Sequence, residues 1–250
     1  MAASDGKRWA GRHHAGADGM RMLDLFCGRF GWGRAFAERG WEVIGVDLIE
    51  PPDIPAGAKF VRADILTTSI GPICGQFYYA DSEGSVNSLG NFDFICSSSP
   101  CEEFSIHGMK HFHKNPKYPD MGIKLFNHTR FLCEASGAPY VMENVRSAQQ
   151  FVGAAVHHCG PFYLWGNCVP PIVPQGIKKG FQTGGAIIQK LKKIDRHALT
   201  NYRRQNNLAW SSSGSKKRKE FTAQVAMIPP ELSNCVADYA TRVIEQRECA

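Results

Sequence analysis

The strongest constraint on the fold lies between Met22 and Asp47. Met22 to Phe26 is an apolar run broken only by Asp24, and Cys27-Gly28 follows it. Trp32 to Gly40 reads as a helix closed by a glycine, and Trp41 to Asp47 as a second strand ending in an acid. A further apolar pair, Phe60-Val61, leads to Asp64. Strand, glycine-rich turn, helix and strand in that order form a βαβ unit, and such units build a parallel sheet covered by helices. The fold class is therefore α/β, with a Rossmann-like sheet.

The same stretch predicts a ligand. The glycines admit close approach of a ligand to the backbone. Asp47, about 20 residues past the turn, stands where a carboxylate accepts hydrogen bonds from ribose hydroxyls. The run Gly28-Arg29-Phe30-Gly31-Trp32-Gly33 has neither the G-x-G-x-x-G spacing of dinucleotide sites nor the Gly-Lys-Ser/Thr ending of a phosphate loop. An adenosine ligand without a pyrophosphate fits, and S-adenosylmethionine is one.

At 250 residues the chain has room for one large domain with a small lobe. No stretch is long and apolar enough for a membrane helix. Residues 1–20 lack an apolar secretory core and read as a disordered arm. Nine scattered cysteines suit reduced thiols in a cytoplasmic protein better than a disulfide framework. The net charge of +6 is unevenly spread: Lys178 to Lys219 holds twelve Lys and Arg against the single acid Asp195, so the remainder of the chain is acidic. A basic segment with Tyr202, Gln205, Asn206, Asn207 and Trp210 interleaved predicts a nucleic-acid partner.

Residues 71–90, rich in Gly, Ser and Asn, read as an irregular connection. A strand through Phe94-Ile95 then ends in Ser97-Ser98-Ser99-Pro100-Cys101, which presents one thiol at a carboxyl strand end, where open α/β sheets place their chemistry. Glu102 to Gly122 reads as a long, mildly basic lid. Its His111 and His113 have no companion at a zinc spacing, so no metal is expected. A helix over 123–136 and a strand over 139–142 deliver Glu143-Asn144-Val145 to the same sheet edge. Two strands separated by one helix can bring Cys101 and Glu143 together.

Asp24-Leu25-Phe26-Cys27-Gly28, Ser99-Pro100-Cys101-Glu102-Glu103-Phe104-Ser105 and Glu143-Asn144-Val145 resemble, in order, three motifs of the cytosine-C5 DNA methyltransferases, of the small phage or prophage orphan type. Gln224 to Leu232 resembles the last motif, which packs beside the first. The resemblance implies a methyltransferase domain over 21–167, a small basic target-recognition lobe over 168–220, and a C-terminal helix within 221–250 that returns to the catalytic domain. It implies S-adenosylmethionine at Asp24, Phe26, Gly28, Gly31, Asp47, Leu48, Asp64, Ile65 and Pro100, with Asp47 on the ribose and Asp64 on the adenine amino group. Cys101 would attack C6 of a flipped cytosine, with Glu143 at N3 and N4 and Asn144 beside it. Ser105, Lys110, His111, Arg203, Arg204, Lys216, Lys217 and Arg218 would contact the substrate DNA.

The expected partner is double-stranded DNA, bound by a monomer in the cytoplasm at the nucleoid. Two departures stand out. Arg29 and Phe30 replace small residues in the glycine turn, which is expected to alter the cofactor pocket. His157-His158-Cys159-Gly160-Pro161-Phe162-Tyr163-Leu164-Trp165-Gly166-Asn167 occupies the place of the family's Gln-x-Arg-x-Arg and contains no arginine. The alternatives are a tRNA cytosine-C5 methyltransferase and a catalytically weakened DNA-binding regulator.

Overall fold

A computed structural model of the chain describes residues 19–71, 75–108, 115, 117–176 and 227–248. The central sheet contains β1 (Arg21–Leu25), β2 (Glu42–Asp47), β3 (Ala58–Arg62), β7 (Phe94–Ser98), β8 (Tyr140–Asn144), β9 (His157–Cys159) and β10 (Phe162–Gly166). Their order is β3-β2-β1-β7-β8-β10-β9. The first five are mutually parallel, while β10 runs antiparallel to β8 and β9 antiparallel to β10. The order reverses between β1 and β7. At such a switch point the connections leave in opposite directions and open a crevice over the carboxyl ends of the strands. The architecture is a Rossmann-like α/β sheet.

Both faces of the sheet are covered, which explains why its strands read as nearly continuous apolar runs. Successive residues point to opposite faces. Met22, Val43, Phe94 and Val141 thus join one core, with Phe36, Trp41 and the helix residues Leu232, Val236 and Ala240. Leu23, Ile44, Ile95 and Met142 join the other, with Phe126, Leu132 and Trp165. The first core is closed by α1 (Gly33–Ala37) and by a C-terminal helix, Pro230–Glu248, which is the fifth α-helix among the described residues and is called α5 below. Cys168 and Val173 also pack into this core.

The second face is closed by α3 (Asp120–Ser136) and the short α4 (Gln149–Val152). Helix α3 begins three residues earlier than the apolar pattern suggests, because Glu103 Oε2 accepts the Gly122 N–H at 2.7 Å and satisfies an otherwise orphaned donor of the first turn. It ends at Gly137, whose φ of 74° is the left-handed conformation common after a helix.

Two expectations are corrected. Residues 71–90 are not an irregular connection throughout: with β4 (Ser69–Ile70) just before them, β5 (Phe77–Ala80) and β6 (Val86–Gly90) form a three-stranded antiparallel sheet. The turn between β5 and β6 is built by Asp81, whose Oδ1 accepts the N–H groups of Glu83 and Ser85 at 3.0 and 2.8 Å. Fully buried Phe77 and buried Leu89 anchor the sheet to the second core. The stretch after Cys101 is not a continuous loop either. Glu102–Gly108 forms helix α2, seated by fully buried Phe104.

Candidate active site

Cys101 follows β7 after the two-residue loop Ser99-Pro100 and immediately precedes α2, with its carbonyl accepting the Ser105 N–H at 2.8 Å. Glu143 is next to last in β8, the parallel neighbour of β7, and its register partner is Ser98. The two residues singled out for chemistry therefore sit on adjacent strand ends, Cys101 three residues beyond the partner of Glu143. Glu143 is 6% exposed, while Cys101 is partly accessible. No disulfide joins the seven cysteines among the described residues. Burial raises the thiols of Cys27, Cys96, Cys133, Cys159 and Cys168, which makes them inert at neutral pH.

The loop between β7 and Cys101 is tied on two sides. Asn144 Nδ2 donates to both the carbonyl and the Oγ of Ser99 at 3.0 Å, and its Oδ1 accepts the Val145 N–H at 2.8 Å. The Asn144 amide, read from sequence among the catalytic residues, is thus spent on holding the loop. On the other side Trp32 Nε1 donates to Ser98 Oγ at 2.9 Å. Sequence reading missed Trp32, Ser98 and Ser99. The serine run was visible, but the bonds join residues up to 66 positions apart, and no local pattern signals them. Pro100 is exposed at the rim of the loop, and Ser105 lies in the first turns of α2. Lys110, His111, Arg203, Arg204, Lys216, Lys217 and Arg218 lie outside the described residues.

The glycine turn, Asp47 at the end of β2 and Asp64 two residues past β3 make up the other half of the site. Gly28, with φ of 50°, has no atom within 4 Å of where a Cβ would stand, so its face is open to a ligand. Its N–H donates to Asp47 Oδ2 at 2.9 Å, and Leu48 N–H to Oδ1 at 2.7 Å. Oδ1 also accepts the Ile49 N–H at 3.4 Å; a carboxylate offers about four acceptor positions, so Asp47 keeps capacity, on Oδ2, for a ribose hydroxyl. Asp64 caps a short 3-10 turn over Ile65–Thr67 through Oδ1, which accepts the Leu66 N–H at 2.9 Å. Leu48 and Ile49 are 60% and 76% exposed, an apolar ledge beside Asp47 that suits a flat heterocycle. Phe26 holds a φ of 59°, an uncommon conformation for a bulky residue, at the mouth of the turn. An open glycine face, a carboxylate with spare lone pairs and an apolar ledge fit an adenosine group.

Asp24 lies beneath this turn and is 1% exposed. Its Oδ2 accepts the Gly33 N–H at 3.0 Å, while Oδ1 is buried with no hydrogen-bond partner. Burial raises its carboxyl to about 8, against the lowering effect of the Gly33 bond and with a further rise from the Asp47 charge. Asp24 therefore supports the turn from within and is sealed from the ligand side.

Phe30 corrects a further expectation. It does not enter the cofactor crevice; it is fully buried in the core shared with α1 and α5. Glycines make the space: a Cβ on Gly45 would meet two Phe30 ring carbons at 2.3 and 2.5 Å, and one on Gly33 would meet the ring at 2.8 Å. Gly31 is closed by the segment before α5, since its Cβ would stand 2.9 Å from the Ile228 nitrogen.

At the place of the absent arginines the structure has the β9–β10 hairpin. Tyr163 is paired with Asn144 and Leu164 with Glu143. His158 stacks on Tyr163 with ring centroids 5.0 Å apart.

The sequence profile of the C-5 cytosine-specific DNA methylases matches residues 20–152. No curated protein matches the chain. Among solved structures, a protein assigned as a DNA modification methyltransferase encoded within an E. coli prophage is 18% identical over 52% of this chain and 33% of that one, with a TM-score of 0.33. The glycopeptide N-methyltransferase MtfA, complexed with S-adenosyl-L-methionine, is 15% identical over 52% of this chain and 49% of its own, at a TM-score of 0.26. The antibiotic-resistance methyltransferase Kmr is 16% identical, covering 52% and 61% of the two chains at a TM-score of 0.27. The chain thus spans less than two thirds of the length of each.

Proposed function

The chain belongs to the C-5 cytosine-specific DNA methylase family, and from that membership we propose that it transfers a methyl group from S-adenosylmethionine to C5 of cytosine in double-stranded DNA. The observation that carries this reading is the arrangement of the Cys101 loop and Glu143 on neighbouring parallel strands, with the open Gly28 turn and Asp47 at the ends of the strands beside them.

Bound S-adenosylmethionine supplies an electrophilic methyl group. Phe26, Gly28, Gly31, Leu48, Ile65 and Pro100 shape its pocket, Asp47 receives the ribose, Asp64 receives the adenine amino group, and Asp24 supports the turn. The Cys101 thiolate adds to C6 of the cytosine. This makes C5 an enamine carbon, which an unactivated cytosine lacks. Negative charge builds on the ring as the C–S bond forms, and Glu143 at N3 neutralises it by donating a proton. After the methyl is gained at C5, with S-adenosylhomocysteine left behind, loss of the C5 proton to solvent, departure of Cys101 as thiolate and return of the N3 proton to Glu143 restore the ring. A base within a duplex cannot reach Cys101, so it must be turned out of the stack. The basic segment within 168–220 supplies the recognition lobe, whose Arg203, Arg204, Lys216, Lys217 and Arg218 neutralise phosphates, while Ser105, Lys110 and His111 contact the DNA. The protein works as a monomer at the nucleoid.

Methyl-labelled S-adenosylmethionine incubated with duplex DNA and, separately, with tRNA tests the proposal. Label is expected in 5-methylcytosine of DNA, and Cys101→Ser is expected to lower the rate by roughly 10³-fold or more. Label confined to tRNA would move the substrate to RNA. Salt-sensitive DNA binding without any label would favour a regulator. DNA containing 5-fluorocytosine, which cannot lose a C5 proton, should trap Cys101 covalently.

A further inference from the structure

Trp32 is among the largest fully enclosed side chains, at 1% exposure, yet it carries a polar N–H. A buried donor of this kind needs a partner, and the partner is Ser98 Oγ at 2.9 Å. The two ends of that bond belong to different halves of the site. Trp32 lies in the glycine turn, between Gly31 and Gly33. Gly31 is closed by Met227 and Ile228, and the Gly33 N–H is held by Asp24. The indole therefore moves only with the turn. Ser98 is the last residue of β7, the register partner of Glu143, and precedes Cys101 by three residues. Residues in register on neighbouring strands share a face of the sheet, so Ser98 and Glu143 lie on the same side. The next residue, Ser99, is held by Asn144.

We infer that Trp32 and Ser98 are positioning residues that link the cofactor turn to the nucleophile. A ligand seated against Phe26 to Gly31 fixes the indole. Through Ser98 the indole fixes the strand end from which the Cys101 loop departs. Attack on a ring carbon needs the sulfur within about 3–3.5 Å in a defined direction, so a loop held on one side only, by Asn144, presents the thiol less often in that geometry. The inference rests on Cys101 being the nucleophile of the proposed reaction, but the link itself is measurable without turnover.

The test uses the full chain and the variants Trp32→Phe, which keeps the ring and removes the donor, Ser98→Ala, and Ser98→Thr, which keeps the hydroxyl. Alkylation of Cys101 by iodoacetamide is followed by peptide mass spectrometry with and without saturating S-adenosylhomocysteine. In the wild type the cofactor product should change the alkylation rate at least threefold. Trp32→Phe and Ser98→Ala should lose most of that change, the double variant no more than either, and Ser98→Thr should retain it. In methyl transfer the same two variants should lower kcat by roughly fivefold, the scale of one buried neutral hydrogen bond, with the KM for S-adenosylmethionine little changed. A wild type whose Cys101 does not respond to S-adenosylhomocysteine, or single variants that respond as the wild type does, would overturn the link. An intact alkylation response in a protein that methylates no cytosine would instead overturn the proposed function and leave the link standing.

Discussion

Asp24 carries an ionisable group into a place without solvent, and this has a consequence for stability. Between the ordinary aspartate value of about 4 and the raised value of about 8, the folded protein keeps a proton that the unfolded chain has released. Stability therefore falls as pH rises across that window and levels off above it. Asp24→Asn, which keeps the shape and removes the titration, should flatten the fall. Urea denaturation at pH 5 and pH 8 measures it, and an equally steep fall in the variant would assign the effect elsewhere. Phe30 and Gly45 form a second pair whose meaning is visible only in space. Gly45→Ala drives a methyl into the Phe30 ring and should cost about 1–3 kcal/mol, the usual range for overpacking. In a Phe30→Ala background the same change should cost much less, and a thermal-melt double-mutant cycle reports the difference.

Helix α5 is far from the site in sequence and close to it in space. Its apolar residues Leu232, Val236 and Ala240 recur every four positions, which puts them on one side of a helix, and all three are fully buried in the core beside α1. The helix also seats Met227 and Ile228 against Gly31. Leu232→Ala should cost about 2–5 kcal/mol in urea denaturation. It should also weaken S-adenosylhomocysteine binding in calorimetry, because the segment that closes the glycine turn loses its anchor. At this scale the long parallel strands were legible, since buried apolar runs ending in acids and glycines leave a strong local signal. The sheet of β4, β5 and β6 was not. Its strands have two, four and five residues, too short for a periodicity, and what holds them is the docking of Phe77 and Leu89 on residues distant in sequence. Helix α2 was hidden for the same reason: its polar residues suggest a loop, and a single buried Phe104 decides otherwise.

For the whole molecule, charge is the quantity that reaches furthest. The excess of Lys and Arg between 178 and 219 predicts DNA binding that weakens steeply with salt. Replacing Lys216, Lys217 and Arg218 by alanine should make the plot of log affinity against log salt shallower by about 0.9 for each phosphate contact removed. Fluorescence anisotropy from 50 to 200 mM salt measures the slope, and an unchanged slope would place the phosphate contacts elsewhere.

The sequence by itself determined the parallel α/β class, the thiol at a strand end, the carboxyl at another and the acids beside the glycine turn. Strand periodicity and strand-end chemistry are local properties, written within a few consecutive residues. Only the tertiary structure decided that Ser98 stands opposite Glu143, that Asn144 and Trp32 hold the nucleophile loop from two sides, and that Phe30 fills the core rather than the crevice. Those facts depend on strand order and on which side chains meet across the sheet, and residues dozens of positions apart become neighbours only when the chain has closed around them.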